Sequence, residues 1–197
     1  MRPEDILPTY ETVGPAFAKA RDCTLWEKPL LDWLFDSAPG PNLLDIGCGG
    51  GLPIARYLVD RGARITAIDG AQSMVEVCRK NVPEATVQLA DMRDFDLGHR
   101  FDGLIAFNSF FHLSPADQAK AFARFSAHAR PGAPLVITTG PEASERVGAV
   151  EGAPVYHASL SPSGYRALFK TEGWEEVAFR PEDPTFHGHT IWQARKT

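Results

Sequence analysis

Leu43-Leu44-Asp45-Ile46-Gly47-Cys48-Gly49-Gly50-Gly51 decides how this chain folds. The apolar run before the glycines suits a short strand buried on both faces. Glycines directly after a strand let the backbone turn sharply and let a ligand come against bare main chain. Ala55, Leu58 and Val59 then share one helical face, and Gly62 is placed to stop that helix. The spacing is not the dinucleotide pattern G-x-G-x-x-G, because Leu52 stands where its last glycine would be. Asp45, just ahead of the glycines, repels a pyrophosphate and attracts a cation or an amine.

Outward from this turn, short apolar runs alternate with helical periodicity, the signature of a parallel sheet with crossover helices. Ile65 to Asp69 is a second strand, followed by a helix from about Gln72 with Val75 and Cys78 inward. Thr86 to Ala90 is a third strand, and Phe101 to Asn108, apolar through its centre, is a fourth and central one. Ser114-Pro115-Ala116-Asp117 opens a helix, with serine as N-cap and proline behind it. Ala119, Phe122, Ala123 and Ser126 give that helix its expected inner stripe. Leu135 to Thr138 is a fifth strand, and Gly140 to Pro154 looks like loop. Ser161-Pro162 opens a further helix, with Leu168 and Phe169 inward and Gly173 at its end. Val177 to Phe179 and Thr190 to Ala194 are strands joined by a loop alone, so they should pair antiparallel. Ahead of the first strand, Leu25 to Phe35 suits a helix and residues 1–20 an irregular or partly helical arm. The fold expected is α/β, doubly wound and Rossmann-like.

In such a sheet, ligands lie outside the carboxyl ends of the strands, near the point where strand order reverses. Asp69 ends the second strand and Asp91 the third, so Asp45, Asp69 and Asp91 should line one crevice. Asp69 can accept both hydroxyls of a ribose, and Asp91 or Met92 can meet the amino edge and face of an adenine. Each acid alone could equally cap a helix or end a solvated loop.

Together these stretches resemble the class I S-adenosylmethionine-dependent methyltransferases of the small-molecule type. Leu43 to Gly51 resembles their first motif, Ile68-Asp69-Gly70-Ala71-Gln72-Ser73-Met74 their second-strand motif, and Ala90-Asp91-Met92 their adenine motif. Phe101 to Asn108 is similar to their fourth strand and Arg130-Pro131-Gly132-Ala133 to the turn before their fifth. The likeness covers about residues 40–140, with a weaker echo from Tyr165 to Val177. It implies a seven-stranded sheet of order 3-2-1-4-5-7-6 with strand 7 antiparallel. It implies a core over residues 39–197, a lid formed by the arm and helices of residues 1–38, and a short substrate loop near 141–160. It assigns Asp45 and the loop Gly47, Cys48, Gly49 and Gly51 to the methionine end of the donor and Asp69 to the ribose, with Gly70 beside it among the donor-binding residues. Asp91, Met92 and Met74 fall to the adenine, and Asn108 to the methyl-transfer site. The cofactor implied is S-adenosyl-L-methionine, released as S-adenosyl-L-homocysteine, with no metal.

His112 follows the fourth strand and is a candidate base for a hydroxyl or amine; it can equally bond to backbone or only shape the pocket. Phe110 and Phe111 are candidates to cover the substrate, Tyr10 and Trp26 to form the lid, and Tyr156 and His157 to touch the acceptor. His187 and His189 have no carboxylate in convincing ligand geometry, so metal binding is not expected there.

The chain has 197 residues, enough for one domain with a small cap. Its 20 basic and 25 acidic residues leave a net charge of −5, which argues against a nucleic-acid coat. No apolar run nears the ~18 residues of a membrane span. The acidic start, Met1-Arg2-Pro3-Glu4-Asp5, is unlike a secretory signal, and three cysteines suit a reducing cytoplasm. The function expected is transfer of a methyl group to oxygen or nitrogen of a small molecule, by a monomer or homodimer. The alternatives are a protein or tRNA methyltransferase, or a donor-binding module without turnover. A nicotinamide oxidoreductase would want a glycine at Leu52 and no acid at Asp45.

Overall fold

The structure, a computed structural model, describes residues 1–197. Its centre is a sheet built from β1 (Asn42–Ile46), β2 (Arg64–Asp69), β3 (Thr86–Leu89), β4 (Gly103–Ala106), β5 (Pro134–Thr139), β8 (Trp174–Asp183) and β9 (His189–Lys196). The order is β3-β2-β1-β4-β5-β9-β8. The first five strands run parallel, and β9 lies antiparallel to both β5 and β8. Counted within this sheet alone, that is the order the motifs imply. Order reverses between β1 and β4, and every side chain of β4 and β5 is buried.

Helices cover both faces. The clusters on the two sides of the sheet are separate. One gathers Phe101, Phe110, Phe122, Phe125, Tyr165 and Trp192 around α5 (Pro115–Ala127) and α6 (Pro162–Thr171). The other joins Leu30, Leu31 and Leu34 of α2 (Lys28–Ser37) to Leu58 of α3 (Ile54–Asp60) and Val75 and Cys78 of α4 (Gln72–Asn81). The serine caps form as expected: Ser114 accepts the Asp117 N–H at 3.2 Å and Ser161 the Gly164 N–H at 3.1 Å.

Three expectations change. Residues 6–20 form a continuous helix, α1 (Ile6–Ala20), despite Pro15 in its interior. Prolines hide the apolar period here, and packing supplies what propensity lacks: Leu7 and Ala18 press against Gly70 and Gly50. Gly140 to Pro154 is not loop; β6 (Ser144–Val150) and β7 (Ala153–Ser159) form an antiparallel hairpin apart from the main sheet. The outer strand is exposed along most of its length, so it shows no alternation of polar and apolar residues. Val155, Tyr156 and Ala158 of β7 pack on Ile6 and Tyr10 of α1, and that contact forms the hairpin's own small core. Finally, Ala119 and Ala123 face solvent, and the inner stripe of α5 is Gln118, Ala121, Phe122 and Phe125. The stripe is rotated because a polar residue is inward: Gln118 Nε2 donates to the Ala158 carbonyl at 2.9 Å, and Tyr165 donates to its Oε1 at 2.8 Å.

Candidate active site

The carboxyl ends of β1, β2, β3 and β4 open into a cleft of about 1100 Å³, counted out to its mouth and roofed by α1. Asp45, Gly47, Cys48, Gly49, Asp69, Gly70, Met74, Asp91, Met92, Asn108, His112 and Tyr10 all line it. So the structure brings the three acids of the sequence pattern to one wall.

Gly47 begins the turn out of β1 with φ at +71°, and a Cβ there would drive into Ser109. Ser109 in turn donates to the Ile46 carbonyl at 2.8 Å, pinning the turn to the end of β4. Asp69 organises the loop from the other side. The Gly49 N–H donates to its Oδ2 and the Ala71 N–H to its Oδ1, both at 2.9 Å. Each oxygen keeps a free lone pair for a further donor. Burial pushes the Asp69 carboxyl up, with those backbone N–H groups pulling against it.

Asp45 is different. Its residue is 3% exposed, and no cation or hydrogen-bond donor relieves it. Burial, with the Asp69 charge behind it, pushes its carboxyl from 3.8 up to about 7. A buried carboxylate without a partner is costly, and a cationic ligand removes that cost.

Asp91 is paired within the chain. It lines the cleft, but the Arg93 side chain grips both its oxygens at 2.9 and 3.0 Å, and the Arg93 N–H donates to Oδ1 at 2.9 Å. Burial pushes this carboxyl up, but Arg93 outweighs it and holds the group below its usual value. Met92 remains beside it on the same wall.

His112 is buried between the roof and the hairpin. Its Nδ1 lies 2.8 Å from the Tyr156 carbonyl oxygen, which only accepts, so Nδ1 carries the proton. Nε2 then holds a lone pair, and the Tyr10 hydroxyl donates to it at 3.0 Å. Burial lowers the His112 pKa to about 4 and raises that of Tyr10 to about 12. The pair is neutral, and it ties α1 to the turn after β4.

The remaining candidates stand away from the cleft wall. Gly51 packs against Cys78 and Val82. Phe110 lies in the core against Phe122, Phe125 and Tyr165. Phe111 and His157 pack on each other at 4.8 Å, behind His112. Tyr156 contributes its carbonyl to His112, while its hydroxyl donates to Glu145 at 2.7 Å. Trp26 stacks on His187 at 4.7 Å and lies 4.8 Å from His189. No group of three or more His, Cys, Asp or Glu side chains is arranged to hold a metal ion. No helix is long and apolar enough to cross a membrane.

Several lining residues were not among the expected site residues: Ile6, Leu7 and Ala18 of α1, Arg21 and Arg93. Arg93 was accessible, since an arginine two places after an acid at a strand end can fold back on it.

A parallel sheet reversing at β1 and β4, with acids at three successive strand ends, defines a Rossmann-like fold of the class I methyltransferase type. Residues 43–132 match the family model of a methyltransferase domain. The chain is 34% identical over 103 residues to the dTDP-3-amino-3,6-dideoxy-alpha-D-glucopyranose N,N-dimethyltransferase of Streptomyces fradiae, covering 51% of this chain and 40% of that protein. It is 32% identical over 108 residues to the ubiquinone biosynthesis O-methyltransferase of Alkalilimnicola ehrlichii, covering 51% of this chain and 42% of the relative. The match thus spans well under two thirds of these relatives' length. Among solved structures, the SAM-bound amino pentose methyltransferase CalS10 of Micromonospora echinaspora superposes with a TM-score of 0.73 at 20% identity, over 96% of this chain and 97% of that one. DesVI of Streptomyces venezuelae gives 0.69 at 18% identity, over 100% and 99%. At such identities the likeness concerns the fold.

Proposed function

We propose that the chain is an S-adenosylmethionine-dependent methyltransferase acting on an oxygen or nitrogen of a small-molecule acceptor. The observation that carries this reading is Asp45, a buried carboxylate without a partner beneath a glycine turn, in one cleft with Asp69. That arrangement suits a ligand with a cationic end and a diol. Asp45 would take the donor's ammonium, and the free lone pairs of Asp69 its ribose hydroxyls. Met92 and Met74 would flank the adenine, while Asp91 is held by Arg93 and has less freedom to meet the amino edge. The donor supplies a methyl group on a positively charged sulfur, ready for displacement. The chain's part is to hold the nucleophile in line behind that methyl while the α1 roof, acting as a lid, keeps water out. The nucleophile's lone pair then forms the new bond as the carbon–sulfur bond breaks toward sulfur. A base role for His112 requires the Tyr10 hydroxyl to leave Nε2, which would couple proton transfer to movement of α1.

The names of the relatives favour an amine on a sugar-sized acceptor. The three free thiols suit the cytoplasmic location we propose. Calorimetric titration with S-adenosylmethionine, S-adenosylhomocysteine and NADH tests the donor. Turnover against amino sugars, phenols, protein and tRNA, read as S-adenosylhomocysteine release, tests the acceptor. Binding of NADH without the other two ligands would overturn the reading, and donor binding without release on any acceptor would leave a binding module.

A further inference from the structure

His189 opens β9 beside the end of β5, and the reaction proposed above gives it no task. Its Nδ1 lies 2.8 Å from the Phe186 carbonyl oxygen. A carbonyl only accepts, so Nδ1 carries the proton and Nε2 of the neutral ring holds a lone pair. Burial holds the His189 pKa below its usual value; the Phe186 bond and Glu27 oppose this, while Arg21 and His187 add to it. The ring is fixed between Trp26 at 4.8 Å and Phe107 at 5.8 Å.

Nε2 lies 3.1 Å from Asn108 Nδ2. A lone pair needs a donor, so the Asn108 amide can turn only its NH2 toward His189. The other end, Oδ1, is closed off from solvent without a partner; Glu27 Oε2 is the one other side-chain atom so placed, since Asp45, also unpaired, keeps contact with the open cleft. The Asn108 backbone is fixed as well: its N–H donates to Thr138 Oγ1 at 2.7 Å, and its φ is +52°. Asn108 lines the cleft at the end of β4. Along the sheet the cleft runs from Met92 past Asp69 to Asp45 and then Asn108. A donor with its adenine at Met92 and its ribose at Asp69 reaches β4 with its reactive end.

We propose that His189 is a positioning residue, orienting Asn108 so that its carbonyl oxygen accepts a hydrogen bond from the N–H or O–H of the group being methylated. This rests on the methyl-transfer reading of the cleft. The relay fixes the nucleophile's direction and admits acceptors that bring a proton on the reacting atom. Tertiary amines and thioethers lack that proton and leave Oδ1 unpaired.

Sinefungin tests this, because it carries an amine where the donor has its sulfonium methyl, whereas S-adenosylhomocysteine has nothing there. The native protein is expected to prefer sinefungin. His189→Phe, which keeps the ring packing, is expected to lower the sinefungin-to-S-adenosylhomocysteine affinity ratio about tenfold, with S-adenosylhomocysteine affinity held within about twofold. His189→Gln, whose side-chain oxygen can accept from Asn108 Nδ2, is expected to restore the ratio. An unchanged ratio in His189→Phe overturns the proposal. So does an equal loss for both ligands, which puts the carbonyl on their shared ammonium. Nitrogen-15 shifts of the His189 ring in the native protein are a test without any variant, and a proton on Nε2 overturns the relay. If neither ligand binds the native protein, the methyl-transfer reading falls first and this proposal with it.

Discussion

Replacing Asp45 with asparagine is expected to stabilise the ligand-free protein and to weaken donor binding, with a defined pH dependence. Asp45 titrates at about 7 in the fold against 3.8 when unfolded. That gap, at about 1.4 kcal/mol for each pH unit, puts the cost of the ionised carboxylate near 4 kcal/mol as an upper figure. Below 3.8 the group is protonated in both states and costs nothing. Between 3.8 and about 7 the folded chain keeps a proton that the unfolded chain has lost, so this contribution to stability falls as pH rises. Above that window the whole penalty is present. His112 acts in the opposite sense, since its folded pKa is about 4 against 6.5, and its contribution is lost as pH falls through that range. The two trends partly cancel in the native protein, so the readout is the difference between native and Asp45→Asn. At about 2–4 °C per kcal/mol for a chain of this size, the gain in Tm should grow from pH 4 and level off above pH 7, at no more than roughly 8–16 °C. Thermal melts of both proteins without ligand between pH 4 and 9 measure it. Calorimetry at pH 8 should show S-adenosylmethionine bound at least tenfold more weakly. Parallel pH profiles, or a variant less stable than the native protein above pH 7, would refute the assignment of an unpaired, ligand-seeking carboxylate.

Asp69→Ala strands the Gly49 and Ala71 N–H groups, so donor affinity should fall at least tenfold and stability by about 1–3 kcal/mol, read by calorimetry and urea unfolding. Gly51→Ala sets a Cβ 2.8 Å from Cys78 Sγ and 2.9 Å from Val82, at a φ of +77°; a loss of about 1–3 kcal/mol is expected, and an unchanged denaturation midpoint would contradict the packing described. Tyr10→Phe removes the hydroxyl bound to His112 Nε2, so amide exchange along α1 should quicken and stability should drop by about 1 kcal/mol; an unaltered exchange pattern would show that the pair does not hold the roof.

Much of the fold was legible in short-range pattern. A strand buried on both faces is apolar along most of its length, and β1, β4 and β5 announce themselves this way, with Asp45 of β1 and the closing threonines of β5 as the polar exceptions. Serine-proline caps mark helix starts by local hydrogen bonding, so the openings of α5 and α6 needed no tertiary information. The acids stood out because each ends a strand or follows one closely, and parallel strands bring their carboxyl ends to one rim. What escaped were elements whose stability is borrowed. The period of α1 is obscured by proline, and it holds by seating Leu7 and Ala18 on glycines of the core. The β6–β7 hairpin has an exposed outer strand, and its order comes from β7 resting on that same helix.

Local chemistry by itself marked the strands of the main sheet, the helix starts and the carboxylates at strand ends, because strand burial, glycine turns and helix caps act over a few neighbouring residues; the order of the strands came from the family resemblance. Only the tertiary structure decided which of those groups are free. Arg93 closes over Asp91, Tyr10 occupies the lone pair of His112, and His189 turns the amide of Asn108, while Asp45 is left with no partner. The Tyr10–His112 and His189–Asn108 pairs join residues 102 and 81 positions apart. Hydrogen bonds of that reach depend on how whole elements dock, and no local pattern carries that information.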